Sequence, residues 1–201
     1  VNIPDSKPVF AIVLAAGVAS RFGSTKQLAE LDGVALVRRA TEIAAKVCGD
    51  NSALVLGHDW QAVAAACHPM RGFLIVNTDY ADGLGTSLAK AVQAVHHVAQ
   101  AIIVLLADQA LISAPHVQTL RDTWSGASNE IVATAYADTA GAPVLFPRDC
   151  FAELEALQGD AGGRHLLTDG RFNTRTVVYE RAAVDIDTPD DLRRISRNAR
   201  N

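Results

Sequence analysis

Residues 14–26 read Leu-Ala-Ala-Gly-Val-Ala-Ser-Arg-Phe-Gly-Ser-Thr-Lys. They follow an apolar run, Val9 to Leu14, long enough for one buried strand. Ala15, Ala16 and Gly17 leave almost no side chain where that strand ends, so the backbone N–H groups can approach a polyanion closely. Arg21 and Lys26 bring two cations into the same loop, and the combination suits a triphosphate. Taken singly, these residues describe an ordinary strand-to-loop turn with solvated basic side chains. The spacing excludes two commoner phosphate loops. Gly17 and Gly23 do not form G-x-G-x-x-G, and Lys26 neither follows a glycine directly nor precedes Ser or Thr, as a Walker A lysine would.

Outward from this stretch, apolar runs alternate with helical patterns, the mark of an α/β fold with a mostly parallel sheet. The pattern predicts strands at Ala53–Leu56, Phe73–Val76, Ala101–Leu106, Ile131–Ala135, Pro143–Phe146 and Arg175–Tyr179. Helices are expected over Ala35–Val47, Gln61–Cys67, Pro115–Trp124, Phe151–Leu157, Arg164–Leu167 and Thr188–Arg197. A further helix carries Leu88, Val92, Val95 and Val98 on one stripe, with Thr86 or Ser87 as its cap. No internal repeat or linker interrupts the 201 residues, so one domain over 1–201 is expected, with 1–8 flexible.

Apolar residues make up 49% and charged residues 20%, a globular composition. The net charge of −4 disfavours a nucleic-acid partner, which usually demands a basic face. Cys48, Cys67 and Cys150 lack zinc-site or disulfide spacing and read as reduced thiols. No apolar run approaches the ~20 residues of a membrane span, and Val1–Pro8 is unlike a signal peptide, so a soluble cytoplasmic protein is expected. The six histidines show no ligand spacing, and His96 and His97, as helix neighbours, are expected to face different points.

Two acidic positions stand out. Asp108 lies just beyond the strongest apolar strand, in Leu105-Leu-Ala-Asp-Gln109, where ligands collect in open α/β sheets. A carboxylate beside a triphosphate is repelled unless a cation lies between them, and Mg²⁺ is the usual one. Asp185-Ile-Asp187-Thr-Pro-Asp-Asp-Leu192 is the other. Thr188, Pro189, Asp190 and Asp191 are accounted for by helix capping, first-turn preference and the helix dipole. Asp185 and Asp187 precede the cap, with Ile186 turned inward between them.

The pattern L-A-A-G-x-x-x-R-F-G-x-x-K-Q-L resembles the N-terminal signature of the molybdopterin cytidylyltransferase family, within the MobA-like NTP transferases. The match extends to D-Q-x-L-I at Asp108, D-I-D-T-P at Asp185, and Asn77-x-x-Tyr80-x-x-Gly83-x-x-x-Ser87-Leu88, so it spans nearly the whole chain. The resemblance implies a single-domain, Rossmann-like three-layer fold of the nucleotide-diphospho-sugar transferase type. It implies transfer of CMP from CTP to the terminal phosphate of molybdenum-molybdopterin with release of pyrophosphate. Arg21, Lys26 and Asp108 would be catalytic. Leu14, Ala15, Ala16, Gly17, Asn77, Gly83 and Ser87 would join them around the nucleotide. Asp108 and Asp187 would hold Mg²⁺, with Asp185 the alternative to Asp187. Gly141-Ala-Pro143 and Gly159-Asp-Ala-Gly-Gly-Arg164 resemble the family's acceptor segments, which casts Gly141, Pro143 and Arg164 as acceptor-binding. A molybdoenzyme or its chaperone would receive the product.

Two departures from the family pattern are visible. Ala110 stands where proline is usual, which questions loop rigidity, and Ala142 stands where larger polar residues are common, which questions the acceptor. Cytidine-using relatives carry A-A-G where guanine-using ones carry A-G-G, so the Ala16 methyl is expected to crowd a purine. Three alternatives remain open. They are another phosphorylated acceptor or GTP, an oxidoreductase that has kept the fold, and a non-catalytic nucleotide-binding protein.

Overall fold

A computed structural model describes residues 8–18 and 22–198. Its first strand, β1 (Val9–Ala15), is apolar at every position because both faces are covered. Val9, Ala11 and Val13 face one cluster, whereas Phe10, Ile12 and Leu14 face another, as the two-residue period of a strand requires. The chain then forms a small antiparallel hairpin, β2 (Glu30–Leu31) and β3 (Val34–Ala35), and enters α1 (Leu36–Cys48). Next come β4 (Ser52–Leu56), α2 (Trp60–Ala66), β5 (Phe73–Val76), α3 (Leu84–Val95) and β6 (Ala101–Leu106). The second half adds α4 (Ala114–Thr123), β7 (Glu130–Tyr136), β8 (Thr139–Pro147), α5 (Phe151–Glu155), β9 (Asn173–Val178) and α6 (Pro189–Asn198).

Seven strands form one sheet in the order β5-β4-β1-β6-β8-β7-β9. β1 pairs in parallel with β4 and β6, β4 with β5, and β7 with β9, while β8 runs antiparallel between β6 and β7. The mostly parallel, mixed sheet of an α/β domain is therefore present. Helices α1, α2 and α4 cover one face through Val37, Ala44, Val63, Val117 and Leu120. Helices α3 and α5 cover the other through Leu88, Val92, Phe151 and Leu154. Strand order reverses between β1 and β6, since the chain moves from β1 toward β5 and then crosses to the far side of β1. Their carboxyl ends form a topological switch point, where an open sheet leaves a crevice.

A third cluster lies outside the sheet. Leu31, Leu36, Ala110, Ile186 and Ile195 pack together, joining the hairpin, the start of α1, the loop after β6 and α6. It draws the C-terminal acidic segment back to the first loop. At the start of α6, Thr188 and Asp191 cap reciprocally: the Asp191 carboxylate accepts the Thr188 N–H at 2.9 Å, and the Thr188 hydroxyl accepts the Asp191 N–H at 3.3 Å.

Two local expectations need correction. Helix α3 begins at Leu84 after Gly83, so neither Thr86 nor Ser87 precedes it as a cap, and Ser87 is buried within the first turn. His96 and His97, at the C-terminal end of α3, do meet, Nε2 to Nε2 at 2.8 Å. Among the described residues no helix is long and apolar enough to cross a membrane.

Candidate active site

The crevice at the ends of β1 and β6 is a cleft of about 410 Å³. Leu14, Ala15, Ala16, Gly17, Lys26, Gly83, Ser87 and Asp108 line it, from the residues expected around a nucleotide. Arg21 lies outside the described residues. Asn77 is set behind the wall: it is 0% exposed, and its amide donates to the Thr86 and Ser87 hydroxyls at 2.9 Å each. It orients the wall rather than forming its surface.

Lys26 is where distant parts of the chain converge. Its ammonium donates to Asp108 Oδ2 at 2.8 Å and to Asp187 Oδ1 at 3.3 Å. The side chains of Lys26 and Asp108 are 15% and 29% exposed, so their attraction is less screened than a surface pair's. Burial alone lowers the Lys26 pKa, but the charges of and hydrogen bonds to Asp108 and Asp187 outweigh it and hold the ammonium above the ordinary lysine value. The backbone explains the convergence. Ile186, 0% exposed in the third cluster, donates its N–H to the Asp108 carbonyl at 3.2 Å, which brings residues 185–187 alongside Asp108. Asp185 is crowded there. Burial, then the neighbouring Asp108 and Asp187, push its carboxyl up to about 6 against the opposing pull of Lys26.

Several contacts hold the first loop in shape. Gln27 is buried, and its amide donates to the Ala15 and Gly17 carbonyls at 3.2 and 2.8 Å. With those carbonyls held, the small-residue turn is kept tight against the β1 end. The Thr25 hydroxyl donates to Asp59, just past β4. After β6, the Ala110 N–H donates to the Asp108 carbonyl at 3.0 Å, a bond that proline cannot make, so alanine here does not leave the loop untethered. Gln109 donates to the Ala142 and Ala182 carbonyls at 3.1 and 3.2 Å, tying the Asp108 loop to β8 and to the segment before Asp185.

The family model of the MobA-like NTP transferase domain matches residues 11–176, and so includes both the loop and Asp108. The chain belongs to the MobA-like NTP transferase family. It is a nucleotidyltransferase. It is 26% identical to the purine catabolism protein PucB of Bacillus subtilis, over 94% of this chain and 96% of that one. It is 24% identical to the molybdenum cofactor cytidylyltransferase of Escherichia coli, over 90% and 92%. Among solved structures it resembles Rv0371c of Mycobacterium tuberculosis at 29% identity, with a TM-score of 0.80 and coverage of 95% and 98%. That protein has also been solved in complex with manganese, a structure 30% identical with a TM-score of 0.78 and coverage of 94% and 98%.

In this MobA-like transferase the expected acceptor residues do not gather in the cleft. Arg164 lines a separate hollow of about 550 Å³, beside Tyr136, Thr139 and Thr168, where its guanidinium donates to the Thr139 hydroxyl. Gly141 leaves room for Tyr136: a Cβ there would lie 2.5 Å from the phenol oxygen. Pro143 is buried, and its carbonyl accepts from Thr134 at 2.7 Å. Asp160, from the same Gly159–Arg164 segment, instead lines the cleft. The position of Asp160 has a tertiary cause. Gly83 has φ +109°, and a Cβ on it would sit 2.3 Å from the Gly159 carbonyl carbon, so only glycine lets the two backbones touch and brings Asp160 over α3.

Gln27, Tyr80, Leu84 and Asp160 also line the cleft; the sequence assigns none of them a role of its own, although Gln27, Tyr80 and Asp160 are letters of the family's motifs. Gln27 follows Lys26 directly in the K-Q-L end of the family signature, and that position was the available signal. Asp160 is a motif residue of the Gly159–Arg164 segment, which the resemblance put on the acceptor side, and its place at the cleft depends on a glycine contact across the fold.

Proposed function

We propose that this transferase moves CMP from CTP to the terminal phosphate of molybdenum-molybdopterin and releases pyrophosphate. The observation that carries the reading is the meeting of Asp108 and Asp187 on the Lys26 ammonium at the switch-point cleft. The 24% identical Escherichia coli relative, named a molybdenum cofactor cytidylyltransferase, supports the choice of substrates.

The residues fit a divalent cation. Asp108 Oδ1 is buried with no hydrogen-bond partner among the described residues, and a second carboxylate lies within reach of the same ammonium. Among those residues no group of three or more His, Cys, Asp or Glu side chains is placed to hold a metal by itself. Asp108 and Asp187 would therefore hold Mg²⁺ jointly with substrate oxygens and water. Bound there, Mg²⁺ would neutralise negative charge developing on the phosphates.

The rest of the chemistry belongs to the chain. The turn Leu14–Gly17 presents backbone N–H groups to the phosphates, and Lys26, with Arg21, balances charge on the departing pyrophosphate. No general base is required, because a phosphomonoester with a second pKa near ~6 is largely ionised at neutral pH. Catalysis then rests on holding an already charged nucleophile in line with the α-phosphorus. Arg164, Gly141 and Pro143 belong to the acceptor side in this reading, and a molybdoenzyme or its chaperone takes the product.

The test is pyrophosphate release with molybdenum-charged molybdopterin and Mg²⁺, comparing CTP, GTP and ATP. Release that depends on both CTP and the pterin supports the proposal. Release with none of the three nucleotides defeats it.

A further inference from the structure

The cleft runs from one layer of the fold to the other. Lys26, Asp108 and Leu36 line it on the side of α1, and Tyr80, Gly83, Leu84, Ser87 and Asp160 line it on the side of α3. These helices lie on opposite faces of the sheet, so the cleft at the strand ends reaches from one layer to the other. A triphosphate drawn to the Lys26 end therefore delivers its base to the other.

We propose that Asp160 and Ser87 together read the amino edge of the base, and that Asp160 selects cytosine over uracil. This rests on the cytidine reading above and deepens it. The donor side is fixed by a buried relay. The Asn77 carbonyl oxygen accepts from the Asp79 N–H at 3.0 Å and from Lys90 Nζ at 3.1 Å, which settles which way its amide points. Its nitrogen then donates to the Ser87 oxygen at 2.9 Å. Ser87 is buried in the cleft wall with its oxygen occupied as an acceptor, so its proton is available to the base.

The acceptor side is Asp160. An ionised carboxylate only accepts hydrogen bonds. Its position is set by the contact of Gly83 with Gly159 and by the Gly85 N–H, which donates to the Gly159 carbonyl at 2.8 Å. Because that amide is taken by a backbone oxygen, it is not what recruits a carboxylate here. An anion beside the phosphates would repel them, but Asp160 stands at the far end, where a ligand must supply a donor instead. Cytosine presents an exocyclic amine next to an unprotonated ring nitrogen, which matches one acceptor and one donor. Uracil presents the reverse, with its O4 lone pairs against the carboxylate. Adenine shares the amino pattern of cytosine, and crowding at Ala16 is then what excludes it.

The test measures nucleotide binding by titration calorimetry on the full chain with Mg²⁺ and CTP, UTP, ATP or GTP, leaving out any acceptor. The wild type is expected to prefer CTP over UTP by about tenfold or more. Asp160→Asn should weaken CTP by about tenfold, the loss of one charged hydrogen bond, and narrow or invert the preference because its amide can donate to O4. Asp160→Ala should narrow it through loss of CTP affinity alone. Melting temperatures should match the wild type, since Asp160 is exposed. A CTP-to-UTP ratio unchanged in both variants overturns the proposal, and so does an equal loss for CTP and UTP. If the wild type does not separate CTP from UTP, or prefers GTP, the cytidine reading falls with it. If the ratio collapses in the variants while pyrophosphate release shows no transfer to molybdopterin, the base reader stands and the acceptor assignment falls.

Discussion

Replacing Lys26 with methionine keeps the length of the side chain and removes its charge from between Asp108 and Asp187. Two consequences follow, and their sizes differ. For stability, the loss is a charge-assisted hydrogen bond of 2.8 Å to Asp108 and a longer one of 3.3 Å to the more exposed Asp187. Asp187 is 41% exposed, so water takes over much of its share, and the Asp108 bond dominates at about 2 kcal/mol. For a domain of this size that lowers Tm by roughly 4–8 °C, which leaves a folded protein at assay temperature. For catalysis, the loss of a cation facing the departing charge costs on the order of 10²–10³ in kcat. The assay is pyrophosphate release alongside thermal melting, on K26M, D108N and the double variant. Because the two side chains act on one centre, their effects on rate should be strongly non-additive, the double variant being little worse than the poorer single one. Rates within threefold of wild type in a folded K26M refute the reasoning, and so does full additivity.

Three further outcomes are expected. Ala16→Gly should admit GTP, seen as a rise in GTP-dependent pyrophosphate release relative to CTP; an unchanged nucleotide preference removes the steric argument at the end of β1. Gly83→Ala combines a φ of +109° with a Cβ 2.3 Å from a backbone carbon. It should lower stability by about 1–3 kcal/mol and raise the KM for nucleotide, and a melt and KM like the wild type's would show that Gly83 and Gly159 need not touch. His116 is buried and stacked on Tyr179 at 4.2 Å, and its Nε2–H donates at 2.8 Å to the Thr134 oxygen, whose own proton goes to the Pro143 carbonyl. Burial holds its pKa below the usual histidine value, so below pH ~6.5 the unfolded chain takes up a proton that the folded one resists, and stability falls as pH falls. His116→Phe should cost about 1 kcal/mol at pH 7.5 and progressively less as pH drops through that window; a difference that does not change with pH contradicts the assignment.

Much of the fold was legible in the chain because burial writes itself into local pattern. Strand Phe73–Val76 and strand Ala101–Leu106 have the bounds that their apolar runs predict, the first ending directly before Asn77 and the second one small residue before Asp108. The two-residue hairpin strands β2 and β3 were missed because Glu30-Leu31 and Val34-Ala35 are too short to show a period. The start of α3 was misread for a different reason. Thr86 and Ser87 have capping chemistry, but the Gly83–Gly159 contact fixes the turn, and no local signal marks a contact made across the fold.

The same division applies to the site. The sequence alone determined a tight, cationic turn after β1, an aspartate beyond β6 and an acidic pair ahead of α6, because small residues, strand ends and helix caps are local chemistry. It also identified the family, whose motifs are runs of neighbouring residues. Only the tertiary structure decided that Lys26 touches both Asp108 and Asp187, that Asn77 works from behind Ser87, and that Asp160 and Arg164, four residues apart, serve different hollows. The reason is that these relations depend on which layers pack together. The third cluster around Ile186 and the glycine contact at Gly83 join segments far apart in the chain, and a linear pattern holds no record of the angle at which they meet.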